Sequence, residues 1–337
     1  TRYISVTGVQ TCALPISMRT VAAAFLLAAC AVAHAQAPWP NRVVRIISTA
    51  PPGGSIDLLA RALAEDYTRV FGQPFIVETR LGGNGNVGVD MVLKQPADGH
   101  SMFVAAPGPF AINQNLYAGM PFNPATDIAP VTMLAFAPLV LVVHPSVPAK
   151  NLKELLPWMK EQGAKVNYSS QAIGSTGHLA MELFKAKASV DGTHIPYKSS
   201  ASEAVLALIS GTVQLSFVNT STVLPQIAKG AVRPIGVGEL KRIGSAPDIP
   251  TLAEQGLPGF EATPWLGLGT RAGVPRDIVR KLADRAGTAL AAPEVAKRMA
   301  SIGIEPRLMT PEEFTDYIKA ETAKYADVIK RSGAKAE

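Results

Sequence analysis

The sequence predicts an α/β protein of two domains, each a mostly parallel sheet flanked by helices. Apolar runs of about five residues alternate with helical segments of ten or more, which is the pattern of βαβ units. This alternation occurs twice, so that two similar halves follow each other along the chain. The 337 residues, of which 17% are charged and 6% aromatic, have a globular composition and suffice for two sizeable cores.

The first half begins with a predicted buried strand at 43–47, where four of the five side chains are apolar. A Pro-Pro-Gly-Gly-Ser turn follows at 51–55, and leucine and alanine then recur at helical spacing. Further strands are predicted at 75–79 and 102–106, separated by a glycine-rich loop at 82–88 and a helix. These elements form successive βαβ units.

The second half repeats this pattern. Its predicted strands lie at 139–143, 166–169, 193–197, 214–218 and 234–237. Asn151 is the predicted N-cap of one helix, and a Gly-Ser-Thr-Gly turn at 174–177 precedes another. A capping box at 200–203 begins a third helix, which Gly211 ends.

The end of the chain is predicted to be helical. One helix is expected at 277–291, and a short one follows Pro293. The last helix begins with Thr310 at the N-cap, Pro311 at the first helical position and Glu313 at the third, which is a strong start signal.

Two strand-like runs, at 139–143 and 265–270, are the predicted crossings between the halves. The first domain is therefore expected to be discontinuous, at 36–140 and 263–337. The second domain is expected at 141–262.

Residues 18–35 have the features of a secretory signal peptide: a short basic start, an apolar stretch and an Ala-His-Ala cleavage pattern before Gln36. The apolar stretch of about 12 residues is too short to span a bilayer. Export to the periplasm is therefore expected, and residues 1–17 are expected to be a non-native extension. In an alternative interpretation, Cys30 ends a lipoprotein box and its acylation anchors the protein to a membrane.

Cys12 and Cys30 both precede the predicted cleavage point. The mature chain would then have no thiol, which excludes a disulfide scaffold, a zinc-thiolate site, an iron–sulfur cluster and a cysteine nucleophile. The formal charge of +6 loses the two arginines of the leader and becomes about +4, without any run of five like charges. Nucleic acid is therefore not an expected partner.

Two turns of similar sequence carry the main indication of a binding site. Gly53-Gly54-Ser55 and Gly174-Ser175-Thr176 each lie between a predicted strand and the start of a helix. A helix N-terminus leaves about four N–H donors unpaired and carries roughly +0.5 charge, so it attracts carboxylate or phosphate. Facing each other across a cleft, the turns would hold a small anion from both sides. Each turn alone could also be only a tight turn with an N-cap.

Further candidate residues lie close to these turns in the sequence or at the ends of strands. Asp57 and His178 lie in the first turns of the two helices, and each has either a structural role or a ligand contact. The others lie at the carboxyl ends of predicted strands, where α/β sheets bind ligands: Ala106, Pro107, Ser170, Tyr197 and Asn219.

Residues 83–88 match the pattern G-x-G-x-x-G, which can mark a dinucleotide site. The match lies in the second βα turn rather than the first, and no acidic residue follows about 20 positions later. The histidines after the leader are not spaced as zinc ligands. No nucleotide site, metal, cofactor or catalytic residue is therefore predicted.

A set of short motifs, in this order along the chain, resembles the Bug family of extracytoplasmic solute receptors of tripartite tricarboxylate transporters. The motifs are Trp39-Pro40, Pro-Pro-Gly-Gly-Ser-Ile-Asp at 51–57, Gly82-Gly83-Asn84, Pro-Ala-Asp-Gly-His at 96–100, Ile195-Pro196-Tyr197-Lys198, the segment 247–256 and Gly273-Val274-Pro275. The resemblance covers nearly the whole chain after the leader.

This resemblance implies a type II periplasmic-binding-protein fold, with a ligand cleft between two domains that close on the ligand. It also implies a small carboxylate ligand, a monomer, and membrane subunits of the transporter as partners. In the family the carboxylates are held by the first turn of each domain. The matching residues here are Gly53, Gly54 and Ser55 on one side, and Gly174, Ser175, Thr176 and His178 on the other.

Two departures from the family pattern concern the ligand. Pro107-Gly108-Pro109-Phe110 stands where relatives often have hydroxyl residues, which removes donors and adds a ring. Val218 stands where relatives often have an acid that would suit an amino group. These departures favour a dicarboxylate or an aromatic acid over an amino acid.

Two other functions remain open at this point. An exported α/β hydrolase or isomerase would need a nucleophile and a base, for which Ser175 and His178 are the only candidates. A receptor that presents its ligand to a membrane sensor would bind in the same way as a transport receptor.

Overall fold

The computed structural model describes residues 38–197 and 201–336. The predicted extension and signal peptide, both cysteines, and residues 198–200 with the start of the predicted capping box lie outside that part. From Arg42 onward the chain forms one compact unit, and the fold below is that of this unit.

The described residues form eleven strands in two sheets. The strands are β1 (Val44–Ser48), β2 (Phe75–Thr79), β3 (Ser101–Ala105), β4 (Ile128–Phe136), β5 (Leu139–Val143), β6 (Asn167–Ser170), β7 (Thr193–Pro196), β8 (Leu215–Asn219), β9 (Arg233–Val237), β10 (Trp265–Arg271) and β11 (Glu305–Pro306). One sheet has the order β11-β4-β10-β3-β1-β2 and is the centre of the first lobe. The other has the order β7-β6-β8-β5-β9 and is the centre of the second lobe.

Helices flank both sheets. Those of the described residues are α1 (Ser55–Phe71), α2 (Asn86–Leu93), α3 (Asn113–Leu116), α4 (Pro124–Asp127), α5 (Leu152–Gln162), α6 (Thr176–Ala188), α7 (Ala201–Ile209), α8 (Thr220–Ala228), α9 (Arg276–Leu290), α10 (Pro293–Ser301) and α11 (Pro311–Ser332). The predicted α/β class, with two sheets flanked by helices, is confirmed. The predicted domain limits at 140 and 263 remain predictions.

The prediction that the sheets are mostly parallel was wrong. β1 pairs in parallel with β2 and β3, and β6 with β7 and β8. Every pairing of β4, β5 or β10 is antiparallel. Parallel neighbours need a crossover connection back to the same end of the sheet. The antiparallel pairs arise where the chain passes between the sheets. β5 directly follows β4 and inserts between β8 and β9, and the returning β10 inserts between β3 and β4.

Local signals placed the helix ends well. Thr310 accepts a hydrogen bond from the Glu313 N–H, and the Glu313 carboxylate accepts one from the Thr310 N–H, as the predicted capping box requires. Asn151 likewise caps α5. Strand β4 was not predicted, because Pro130 interrupts its apolar pattern and a proline inside a run argues against a strand. The irregular pairing of β4 with β10 accommodates this residue.

Each lobe has an aromatic core beneath its sheet. In the first lobe Phe110 lies between Phe103, Trp265 and Phe314, with ring centroids 5.2–5.6 Å apart. Such pairs add about 0.5–1.5 kcal/mol each beyond the area they bury.

The last helix, α11, contacts both lobes. Its buried side chains Tyr325, Val328 and Ile329 pack with Leu116 of the first lobe and with Leu179 on α6 of the second. None of the helices in the described ranges combines the length and the apolar composition needed to cross a membrane.

Candidate functional site

The first predicted turn follows β1 at the carboxyl edge of the first sheet. The Thr49 N–H and hydroxyl both donate to the Val104 carbonyl, at 3.3 and 3.1 Å, so the chain after β1 lies beside the end of β3. Ala106 and Pro107 continue from β3 at the same edge. The structure thus places these predicted residues at the same edge of the sheet as the segment that leads into α1.

Asp57 stabilises this turn from within α1. Gly53 has a φ of +85°, and its N–H donates to Asp57 Oδ2 at 3.0 Å. The Arg61 Nε donates to the same oxygen at 2.9 Å. Burial opposes ionisation of Asp57, but these hydrogen bonds outweigh it and lower the pKa of the carboxyl. The geometry supports the structural role of Asp57 rather than a ligand contact.

The N-terminus of α1 keeps free donors. Its N-cap residue is Gly54, which has no side chain to accept a hydrogen bond from the first turn. The backbone N–H groups of Ser55 and Ile56 have no partner among the described residues. These groups therefore remain able to bind an anion.

The second predicted turn uses part of its own donors. The Gly174 N–H donates to His178 Nδ1 at 3.0 Å, and the Ser175 N–H donates to the Ala172 carbonyl at 3.1 Å. The Ser175 hydroxyl caps α6 by accepting from the His178 N–H at 3.4 Å. In the described part of the chain, the Thr176 and Gly177 N–H groups have no such partner. The donors left for a ligand are thus the N–H groups of Thr176 and Gly177, rather than those of Gly174 and Ser175.

The second turn also lies directly against the first lobe. Gly174 has a φ of +74°, and a Cβ atom at this position would overlap the Leu116 side chain of α3. Only glycine fits this close approach of the two lobes. No hydrogen bond between described residues joins 53–55 to 174–176.

His178 lies in a column of three stacked rings in the second lobe. Its ring centroid is 3.8 Å from that of His194 on β7, with 10° between the planes. The ring centroid of Tyr168 on β6 is 5.0 Å from that of His194. The Ser170 Oγ is 2.6 Å from His194 Nε2. Burial lowers the pKa of His178 to about 4 and that of His194 to about 3, so both rings are neutral at pH 7.

Sequence reasoning missed His194. The parallel register of β6 and β7 places His194 opposite Tyr168, so its ring reaches His178 only through strand pairing. Ser170 lies at the carboxyl end of one strand, whereas His194 lies near the start of the next strand along the chain. No spacing rule in the sequence joins them.

Tyr197 and Asn219 lie at strand ends, as expected. The Tyr197 N–H donates to the Ser170 carbonyl at 2.9 Å, while its half-buried ring packs on the apolar cluster of the second lobe. Asn219 ends β8 and is the N-cap residue of α8, but its side chain makes no capping hydrogen bond.

Two residues that informed the expected ligand class do not face a ligand. Val218 is 7% exposed and packs in the apolar cluster around Val140 and Val205, so its side chain points into the core. Phe110 is 1% exposed and belongs to the aromatic core of the first lobe. The ring of Phe110 is therefore not part of the site, contrary to expectation, and the ligand preference drawn from Val218 stays a prediction.

The glycine-rich loop at 82–88 has a structural role. Fully buried Asn113 links it to the segment after β3, by accepting from Asn84 Nδ2 at 2.9 Å and donating to Asn86 Oδ1 at 2.7 Å. A Cβ at Gly85 would lie 2.9 Å from Pro109. This loop supports the first lobe beside Thr49 rather than forming a phosphate cradle.

The geometry does not provide the nucleophile and base of a hydrolase. The Ser175 hydroxyl bonds to the backbone of His178, and His178 Nδ1 accepts from Gly174, so no hydrogen bond joins the hydroxyl to the ring. Among the described residues, no three histidine, cysteine or acidic side chains are grouped to hold a metal ion.

Comparison with known proteins agrees with this description. A family model described as "Tripartite tricarboxylate transporter family receptor" matches residues 59–334. Protein BugT of Bordetella pertussis is 33% identical over 298 residues, 88% of this chain and 91% of that protein.

Two solved structures are similar in both sequence and fold. R. palustris Rpa4515 with adipate is 33% identical, with a TM-score of 0.77 over 88% of this chain and 98% of that one. MatC from Rhodopseudomonas palustris with bound malate is 27% identical, with a TM-score of 0.74 over 86% and 100%.

Proposed function

Because the chain belongs to the family of tripartite tricarboxylate transporter receptors, we propose that it captures a small dicarboxylate between its two lobes and delivers it to the membrane subunits of such a transporter. Membership confirms the resemblance to the Bug family and makes the protein a solute-binding receptor, not an enzyme. The ligand class, the partner and the closure of the lobes are the proposed steps.

The observation that carries the ligand class is the pair of helix N-termini with unpaired donors. α1 offers the N–H groups of Ser55 and Ile56, and α6 offers those of Thr176 and Gly177. An ionised carboxylate only accepts hydrogen bonds, so it matches these groups and the positive end of each helix dipole. A dicarboxylate supplies one such group to each lobe.

The ligands of similar proteins support a dicarboxylate. Adipate, in the Rpa4515 structure, and malate, in the MatC structure, each have two carboxylates, and neither is aromatic. Since Val218 and Phe110 are core residues, nothing at the site favours an aromatic acid. We therefore narrow the class to aliphatic dicarboxylates.

Capture requires the lobes to move as two bodies. The proposed bodies are residues 36–140 with 263–337, and residues 141–262, which are joined where β4 leads into β5 and where β10 returns. The predicted signal peptide at 18–35 would place this movement in the periplasm, either free or anchored through Cys30. Residues Gly53, Gly54 and Ser55 and residues Gly174 to His178 would line the closed site.

A thermal-shift screen of the mature chain tests the ligand class. The panel contains adipate, malate, hexanoate, glutamate and adipamide, the uncharged diamide that matches adipate in length. Binding stabilises by RT ln(1 + [L]/Kd), about 2.7 kcal/mol at a hundredfold excess over Kd. We expect at least one aliphatic dicarboxylate to raise the melting temperature and adipamide to have no effect. Stabilisation by none of the acids, or equally by adipamide, would overturn the proposal.

A further inference from the structure

A stacked pair of neutral imidazoles lies beside the proposed carboxylate site, with His178 buried and His194 partly exposed. His178 is in the first turn of α6, and His194 is on β7 of the same lobe. The two ring planes are nearly parallel, with 10° between them, and the ring centroids are 3.8 Å apart. His178 is 5% exposed. The stack thus fixes the orientation of the His178 ring on α6 through His194 on β7.

The hydrogen bond from Gly174 determines the tautomer of His178. Its Nδ1 accepts the Gly174 N–H at 3.0 Å, so the lone pair is on Nδ1 and the ring proton is on Nε2. Within the described residues, the side-chain hydrogen bond of His178 uses Nδ1, and none uses Nε2. His178 therefore has an unused N–H donor next to the unpaired Thr176 and Gly177 N–H groups.

His194 is anchored by the end of β6. The Ser170 hydroxyl donates to the Ala172 carbonyl at 3.0 Å, so it accepts from His194 Nε2–H at 2.6 Å. The same contact holds the His194 ring flat against His178. The imidazole of His194 therefore links the carboxyl end of β6 to the first turn of α6.

One cation and two carboxylates lie near the pair, and the cation is paired with both. Lys185 of α6 lies 2.9 Å from Glu182 and 3.8 Å from Asp191, and Glu182 also accepts from the Tyr168 hydroxyl. Both imidazoles are neutral at pH 7. His178 is then a neutral hydrogen-bond donor whose Nε2–H can donate to a carboxylate.

We propose that His194 is a positioning residue for the binding site: by stacking on His178 it keeps that ring where Nδ1 accepts from Gly174, and this bond leaves Nε2–H for a ligand carboxylate. The contact with a ligand carboxylate rests on the proposed function. The effect of His194 on the orientation and tautomer of His178 does not. His194 itself does not touch the ligand.

The test uses three variants of one residue on the full mature chain. His194→Ala removes both the stack and the anchor, His194→Phe keeps a ring against His178, and His194→Gln keeps a donor for Ser170. His144→Gln is the matched control, because His144 is a histidine of the same lobe whose Nδ1 is bonded to Ser146 at 2.7 Å near the surface.

Two measurements are made on each variant. The ¹⁵N chemical shifts of the His178 ring report its tautomer without any ligand, and calorimetry reports the affinity for adipate and malate. We expect a single Nε2–H tautomer in the wild type and a mixture in His194→Ala. We also expect binding in that variant to be weaker by about tenfold, the effect of one misplaced hydrogen bond to a charged group. His194→Phe or His194→Gln should restore the tautomer in part, and the control should match the wild type.

The proposal is overturned if the His194→Ala variant folds, keeps a single His178 tautomer and binds the acids with wild-type affinity. If His194→Ala fails to fold, the same two measurements on His194→Phe and His194→Gln decide. The proposal is overturned if both variants keep the single tautomer of His178 and the wild-type affinity. If the wild type binds neither acid, the proposed ligand class fails, and the ring shifts of His178 still decide whether His194 positions it.

Discussion

At the scale of single residues, the structure shows that the glycine N–H groups of the two motifs are not free to bind a ligand. Gly53 and Gly174 have positive φ values, as their turns require, but their N–H groups are donated to Asp57 and His178. The glycines shape the two turns, and the following N–H groups remain for the ligand. A motif identifies the turn, whereas the hydrogen bonds decide which donors are available.

The two stacked histidines should make stability depend on pH. Their folded pKa values are about 4 for His178 and about 3 for His194, below the ordinary 6.5. As the pH falls below 6.5, the unfolded chain takes up protons that the folded chain does not, so the free energy of unfolding decreases. Above pH 6.5 neither state is protonated and the effect disappears.

Urea unfolding at pH 7, 6 and 5 would measure this effect. His194→Gln should reduce the slope by up to about 1.4 kcal/mol per pH unit, less what solvent screens at this partly exposed ring. Burial raises the pKa of Glu239 to about 7, which changes stability in the opposite direction, so only the difference from wild type isolates the histidine. Identical slopes for His194→Gln, wild type and the control His144→Gln would contradict the expectation.

At the scale of elements, the helix N-termini carry the proposed binding chemistry. Thr310 and Ser175 have nearly the same N-cap conformation, with φ and ψ of −62° and 159° in one and −63° and 157° in the other. Proline already follows Thr310 at the first position of α11. A proline should therefore fit at the first position of α6 without disturbing the helix.

Thr176→Pro uses this match to remove one backbone N–H from the site. We expect adipate affinity to fall by about tenfold or more, because a hydrogen bond to a charged group is lost, while the melting temperature stays close to wild type. Thr176→Val is the control, since it removes the hydroxyl and keeps the N–H. Calorimetry that gives equal affinity for Thr176→Pro and Thr176→Val would exclude this N–H as a ligand contact.

The elements themselves were largely predictable where their signals are local. The N-caps Asn151 and Thr310 act within three residues of the chain, and both were identified from the sequence. β4 and the direction of β10 were not, because strand pairing is decided by segments more than a hundred residues apart. The pairing follows from the route of the chain between lobes, which no local pattern records.

At the scale of the whole molecule, the lobes touch at several places outside the proposed site. The Thr220 hydroxyl of the second lobe donates to the Gly303 carbonyl at 3.0 Å, and the Gly244 N–H donates to Glu305 Oε1 at 3.0 Å. Helix α11 adds apolar contacts to both lobes. Any closing movement must keep or rearrange these contacts.

Small-angle X-ray scattering would test whether a ligand closes the lobes. We expect saturating adipate to decrease the radius of gyration, because two carboxylates held by opposite helices draw the lobes together. Adipamide, which has the same length without charge, should leave it unchanged. Calorimetric binding of adipate without any decrease would show that this receptor binds without closure and would remove the movement from the proposed function.

The sequence by itself determined the family, the α/β class and the two turns that begin α1 and α6, because these depend on short motifs and local capping. The tertiary structure alone decided the rest. It paired His194 with His178, buried Val218 and Phe110 in the cores, and used the Gly174 N–H within its own turn. Strand register and burial bring together residues that are distant in sequence, so the direction of a side chain and the availability of a donor follow only from the folded chain.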